Sequence, residues 1–510
     1  SFSNETPSNG GRINLGYEGN TAEASRTRAQ NIQLISPNGF EKFHLADDVI
    51  ISWTSSGLGA FVTIEASYDG GASFNPIATT SNDGNYAWNP DTFTTQGLIR
   101  VSDALDPTIS DVSNSFFTVG ESGHEYFVND NSTATSFYGM AFGNNANSGT
   151  TAADPVASLN AILSAYDLGP GDIIYMDDGI YQEPVNVRIT QEDEGVTIQG
   201  PLTPTPLGGD YQNRVLEDAP VAYWRLGESS GTTAADSSPN LHDATYLNGA
   251  VLGQGGAING NSNTSVRLDG VNDFIQLPSG FADMSNGITM EAWVNPANQG
   301  NFARIFNLGN GQGNDLILVG RYSTTVDTLF VQTYNGTSAG TVLTFANVLD
   351  QSHWTHIAVS ITSAGNVLVY KNGRLIGSGA SAPLRNVTRT SNFIGKSDSP
   401  TDAYWSGGID EAAIYDKVLS ADRISTHYLA ATTSGAVLNR GNVTAGSYAL
   451  ELNNADGITL TDLGITGAYE GVFVNNGSSQ LTVQNSILFD NANAGLNITD
   501  AASSTPIIRD

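Results

Sequence analysis

The chain has 510 residues, enough for three or four domains, and sets 20 Lys and Arg against 51 Asp and Glu, a formal charge of −31. A surface this acidic repels nucleic acid and anionic membranes, so neither is expected as a partner. There is no cysteine, which excludes disulfides and thiol chemistry, and no apolar run approaches the roughly 18 residues needed to cross a bilayer.

An apolar content of 39% argues against a disordered chain. Abundant Gly, Asn, Ser and Thr, with almost no long helical periodicity, predict an all-β protein rich in turns. The chain opens on Ser1 without a signal peptide and is expected to be a mature product or part of something longer.

Residues 1–29 are polar and Gly-rich, with one short apolar element at Ile13–Leu15. The segment GGRINLGYEGNTAEAS resembles the closing segment of parallel β-helix domains in large bacterial surface proteins. Residues 30–120 carry short β-branched or aromatic runs about ten residues apart, at Ile32–Ile35, Val49–Trp53, Phe61–Ser67, Tyr86–Trp88, Leu98–Val101 and Phe116–Val119. That spacing predicts a sandwich with Trp53, Trp88 and Phe61 in its core. SPNG (36–39), SYDGGASF (67–74) and RVSDALDP (100–107) resemble an immunoglobulin-like or fibronectin-like module, which implies a spacer or adhesive domain. Asp69, Asp103 and Asp106 read first as turn-capping residues, with calcium ligation as the alternative.

In residues 121–204, EYFVND (125–130) reads as a strand. PVASLNAILSAY (155–166) has helical spacing of Ala157, Leu159, Ile162, Leu163 and Tyr166, after an Asp154-Pro155 start signal. Three β runs follow at Ile173–Tyr175, Val185–Ile189 and Val196–Ile198, and a Pro/Thr/Gly linker, PLTPTPLGGD, then breaks the rhythm. The helix followed by GPGDIIYMDDGIYQE resembles the cap and first rung of a right-handed parallel β-helix, the helix hiding the apolar end of the stack. Residues 435–510 resume the pattern. Apolar runs begin at Ala449, Gly471 and Gly495, a repeat of roughly 22–24 residues that fits one three-strand rung. Asn453, Asn454, Asn475 and Asn476 are expected to form an Asn ladder at one corner.

Between these parts, residues 205–434 hold longer alternating strands, enough for two facing antiparallel sheets. PVAYWRLGESSG, ADSSPNLHDATYLNGAV, VRLDGVNDFIQLP, ITMEAWVNP, HWTHIAVSI, NVLVYKNGRLIGSG, FIGKS and GGIDEAAIYDKVLSADRI occur in the order of a laminin-G-like, concanavalin A-like jelly roll, which this segment resembles. The resemblance implies that Trp293 and Trp354 pack between the sheets. It also implies one structural Ca²⁺ held by Asp236 and Asp410, with Asn240 as a further ligand, and a glycan ligand contacted by exposed aromatics such as Tyr322, Tyr334, Tyr404 and Trp405. A calcium ion needs about six to eight oxygens. Asn372-Gly373 marks a tight hairpin.

Catalytic signals are weak. A β-helix lyase or epimerase needs a basic residue beside a substrate carboxylate. The two β-helix segments contain no Lys, three Arg (Arg188, Arg440 and Arg509), and one His, His124, before the cap. Asp456, Asp462, Asp490 and Asp500 mostly sit beside Gly or Asn, as turn residues do. The expected fold is an immunoglobulin-like sandwich followed by a right-handed parallel β-helix with a concanavalin A-like jelly roll inserted in it. The expected role is that of a non-enzymatic, extracellular or cell-surface structural or adhesive protein, self-associating head to tail as a fibre or arranged as tandem repeats. The alternative is a carbohydrate-binding portion of a secreted polysaccharide-degrading enzyme.

Overall fold

A computed structural model of the chain describes residues 30–120, 123–133, 136–297, 300–323, 327–499 and 507–509. The cap-like segment expected at 1–29 lies outside the described residues. Residues 31–120 fold into two facing sheets. One pairs Asn31–Ser36, Val49–Ser56 and Asn85–Trp88; the other centres on Thr94–Asp103 between Phe61–Ser67 and Phe117–Gly120. The two-residue period decides what is inside. Val49, Ile51 and Trp53 face in, as do Val62, Ile64 and Ala66. Phe61 falls on the opposite phase and is 56% exposed, so it does not fill the core with Trp53 and Trp88 as expected. Phe117 takes that place, its ring seated against Gly97, where a Cβ would lie 2.3 Å from it. The loop aspartates are turn caps. Asp69 accepts from Ser73 and Ser67, Asp103 from Gly59 and Leu105, and Asp106 from Thr108.

Three all-parallel sheets follow, and the chain visits them in rotation. Sheet I holds 125–128, 173–176, 197–199, 459–461, 482–484 and 507–509. Sheet II holds 179–182, 436–442, 463–468 and 487–488. Sheet III holds 187–189, 448–453, 470–475 and 494–498. Pairing is residue on residue, so inward side chains form files along the axis: Ile174, Ile198, Leu460 and Val483 in one sheet, Val187, Leu450, Val472 and Leu496 in another. Each file buries apolar surface against the next turn of chain. The strand Gly179–Gln182 was not foreseen, because DDG reads as a turn. Gly179 is required there, since a Cβ would approach the Asp130 carboxylate to 2.5 Å.

Helix α1 (Leu159–Ala165) begins after Ser158, later than the Asp154-Pro155 signal, and buries Leu159, Ile162 and Leu163 against the end of the stack. The corner from sheet III carries the four asparagines. Asn453 and Asn475 are in register, and Asn476 donates to Asn453 Oδ1 at 3.0 Å. Asn475 and Asn454 bond instead to Glu451 and Gln191. Asn454 and Asn476 both adopt positive φ, the conformation Asn tolerates best after Gly.

The third unit enters and leaves at the corner between sheets I and II. Elsewhere that corner is one or two residues: Asp177-Asp178, Asp462 and Asn485-Ser486. Here Pro206 bridges Ser434, Leu207 N donates to Thr433 O and Gly435 N to Thr205 O, so the two crossings lie side by side. Between them the chain forms an antiparallel jelly roll of two large sheets around one core. One sheet centres on Ile288–Pro296 and Ser406–Tyr415, the other on Arg304–Leu308 and Ile317–Arg321. Asn372 and Gly373 form the expected hairpin, both at positive φ.

Helices α2 (Tyr211–Glu217) and α3 (Ala421–Thr432) cover the outer face of the first of these sheets. Trp293 therefore packs outside the sandwich, under α3, with its ring stacked on Tyr428 and its indole N–H donating to the Tyr211 hydroxyl at 3.1 Å. Trp354 lies against the same outer cluster rather than between the sheets. The helices also meet the parallel stack. Ile180 and Val437 join the cluster, Gln182 donates to Thr426, Asn439 donates to Ser425, and Arg214 pairs with Asp130 at 2.6 Å.

Candidate functional site: a groove on the jelly roll

The second jelly-roll sheet alternates in the same way. Ile317 and Val319 point into the core, as do Leu329 and Val331, while Leu316, Leu318 and Phe330 point out and form a separate apolar cluster. That outward cluster floors a groove of about 350 Å³. Phe302 and Tyr334 pack at its edges, Phe302 edge-on to Phe330 with centroids 5.9 Å apart. The polar lining is mixed. Arg304 lies over the Phe330 ring at 4.8 Å and pairs with Asp402 at 2.7 Å, while its buried Nε has no hydrogen-bond partner. Burial lowers the Arg304 guanidinium, and the Asp402 carboxylate offsets part of that effect. Asn307 donates to Asp398 at 3.0 Å, and burial pushes the Asp398 carboxyl above its ordinary range. Gln332 donates to the Gly340 carbonyl. The groove thus combines a buried apolar floor and two half-buried rings, Phe302 and Tyr334, with amide, guanidinium and carboxylate groups at its walls.

Of the aromatics expected to contact sugar, Tyr334 lines this groove and Tyr322 packs behind it on Phe302 and Phe330. Tyr404 sits elsewhere, beside Phe274. Trp405 is fully buried in the core between the sheets, so it offers no platform. The main contributors, Phe302, Arg304 and Phe330, were not singled out, although the outward phase of Leu316, Leu318 and Phe330 is readable as strand alternation.

The residues expected to hold calcium do not form a cage. Asp236 Oδ1 accepts from the Tyr223 and Ser238 amides at 2.8 Å, and Oδ2 accepts from the His242 amide at 2.7 Å and the Ser238 hydroxyl at 2.8 Å. Two lone pairs per oxygen are thereby used. Asn240 donates its side-chain N–H to the Pro220 and Val221 carbonyls. Asp410 is buried on a different strand and accepts from Ala257 N–H at 2.8 Å, and burial together with neighbouring Glu411 pushes its carboxyl well up. Among the described residues no hydrogen-bond partner is common to Asp236 and Asp410: Asp236 is held by four donors, while Asp410 Oδ1 is buried without one.

The jelly roll is a concanavalin A-like domain. Residues 269–425 match the family model of the concanavalin A-like lectin/glucanases superfamily. Similar solved structures include domain 4 of AbnA, a GH43 extracellular arabinanase from Geobacillus stearothermophilus, in complex with arabinotriose. It is 22% identical with a TM-score of 0.32, over 41% of this chain and 98% of that one. The binding domain of botulinum neurotoxin DC in complex with rat synaptotagmin II is 12% identical with a TM-score of 0.33, over 42% of this chain and 52% of that one. The binding domain of Paraclostridial Mosquitocidal Protein 1 is 15% identical with a TM-score of 0.34, over 46% and 57%. The chain spans little more than half of these two toxin domains. No curated protein matches the sequence. Among the described residues no helix is long and apolar enough to cross a membrane.

Proposed function

We propose that the jelly roll is a non-catalytic carbohydrate-binding domain and that the groove floored by Leu316, Leu318 and Phe330 takes the sugar. The observation that carries this is the juxtaposition of the half-buried Phe302 and Tyr334 rings with the Arg304 guanidinium, whose Nε is incompletely bonded, and the half-buried Gln332 amide. Sugar rings present apolar C–H faces to aromatic rings and hydroxyls to such polar groups. The superfamily model over residues 269–425 supports the same reading. Asp398, Asp402 and the charge of −31 favour a neutral oligosaccharide over a polyanionic one.

A glycan array followed by calorimetry tests this reading. Selective binding is expected, weakened at least about 10-fold, or about 1.4 kcal/mol, by Tyr334→Ala or Phe302→Ala. No selective ligand, or an affinity in both variants equal to that of the unaltered chain, overturns it. Release of reducing sugar by the unaltered chain would overturn the non-catalytic assignment.

We read the parallel stack as a right-handed parallel β-helix and residues 30–120 as an immunoglobulin-like spacer. Together they carry the binding domain in a secreted or cell-surface protein. Head-to-tail assembly of such units is a second proposal, favoured by in-register files of side chains that run the length of the stack. Electron microscopy showing only discrete monomers would end it.

A further inference from the structure

We infer that His44, Asp47 and Asp167 form a binding site for a divalent transition-metal ion of the zinc class, bridging the N-terminal sandwich and the parallel stack. His44 ends the edge strand Lys42–His44, and Asp47 closes the tight turn after it, accepting the His44 backbone N–H at 2.6 Å. Asp167 comes from the other unit, two residues beyond the end of α1. One donor atom from each residue lies within 4.8 Å of the other two, and His44 Nδ1 is 3.5 Å from Asp167 Oδ2. Four ligands at zinc distances, about 2.1 Å, stand roughly 3.4 Å apart on a tetrahedron. The His44–Asp167 pair already has that spacing, with Asp47 beside it and a water completing the set.

The far side of the imidazole fits the same reading independently. His44 Nε2 is buried and has no hydrogen-bond partner. It faces Asp172 Oδ2 at 3.8 Å, and its ring edge rests on Gly169, where a Cβ would stand 3.4 Å away. Asp172 is itself fixed, accepting the His124 and Gly169 backbone N–H groups at 2.8 Å each. A ligating histidine commonly directs its second ring nitrogen at an anchored carboxylate, which orients the ring and makes it a better donor. Here both sides are in place: the Asp167 carboxylate at Nδ1 with Asp47 within reach, and a backbone-held carboxylate at Nε2.

The donor set selects the ion. One imidazole with two carboxylates and no thiol suits zinc-class ions, whereas Ca²⁺ calls for six to eight oxygens. The same joint is closed by Lys42 Nζ donating to the Leu163 carbonyl and Thr118 Oγ1 donating to the Ala165 carbonyl. A metal ion would add a direct link between the two units at that seam.

Full-length chain freed of metal with a chelator and titrated with ZnCl₂ should bind one equivalent tightly, with a rise in melting temperature. His44→Gln and Asp167→Asn should each lose at least 10-fold in affinity and abolish that rise. Asp172→Asn should lose about 10-fold, the scale of outer-shell effects. Co²⁺ bound to the unaltered chain should give the strong visible absorption of four-coordination, a readout independent of how any variant folds. No stoichiometric binding, equal binding by His44→Gln and the unaltered chain, or a weak six-coordinate Co²⁺ spectrum would each overturn the assignment.

Discussion

At the scale of single residues, two positions carry more than their size suggests. Gly97 leaves room for the Phe117 ring in the sandwich core where Phe61 was expected. A methyl group at 2.3 Å from that ring forces it off its site, so Gly97→Ala should cost about 1–3 kcal/mol in urea denaturation. Glu291 is the second. It sits fully buried under α2 and α3, with His427 Nδ1 at 3.0 Å and His356 Nε2 at 3.2 Å, and the Tyr415 hydroxyl donates to it. Burial alone would push Glu291 up, but the two histidines reverse this and hold it below the ordinary carboxylate range. Burial would push His427 down, but Glu291 and Asp218 reverse that and raise it to about 9.

The two shifts act at opposite ends of the pH scale. The stabilisation from His427 is complete below the unfolded imidazole pKa, about 6.5, and is lost as pH climbs through about 9. That from Glu291 is complete above the unfolded carboxylate pKa, about 4.3, and fades as pH falls toward its lowered folded value. Melting temperature should therefore fall from pH 6.5 to 9.5. His427→Gln should flatten that decline while lowering the neutral plateau, since it leaves Glu291 short of a partner.

At the scale of elements, strand alternation was readable wherever one face is wet. Ile32–Ile35, Val49–Trp53 and Ile173–Tyr175 fall within three residues of the observed strand ends. It failed where side chains are buried on both faces or glycine opens the strand. Gly179–Gln182 is hidden behind two aspartates, and Trp293 lies in a strand whose residues are almost all buried, so nothing in its period tells core from outer face. Helices α2 and α3 were missed because their apolar residues serve two neighbours at once, the sheet and the stack. The groove was half legible. Tyr334 and Tyr322 stood out as aromatics near loops, but Arg304 is distinguished only by what folds over it. His44 and Asp167 are 123 positions apart in sequence (167 − 44), and only the docking of two units unites them.

At the scale of the whole molecule, the insertion is separable from its host. Joining Gly200 to Gly435 would leave a two-residue corner, the length already found at Asp177-Asp178 and Asn485-Ser486. The excised chain should keep its parallel sheets, as judged by circular dichroism. It should lose roughly 3–6 kcal/mol from exposing Ile180 and Val437, which α2 and α3 now cover. Residues 205–434 alone retain both helices and should fold and keep any sugar affinity, measured by the calorimetry above. A failure of either half to fold would show that the joint between them, with Arg214–Asp130 at its centre, is obligatory.

The side-by-side crossing at Thr205 and Gly435 also sets how the molecule carries load. Tension along the stack runs from one turn to the next through short backbone bonds, such as Gly179 N–H to Gly435 O and Gly200 N–H to Thr461 O. Because the jelly roll's two covalent connections are adjacent, that force passes beneath its backbone without stretching it. A pull on a ligand held in the groove, by contrast, is delivered to the host at that corner and through the side-chain joint of α2 and α3 with Asp130, Ile180 and Val437. A tethered surface could therefore be strained along its length while the binding domain keeps its shape.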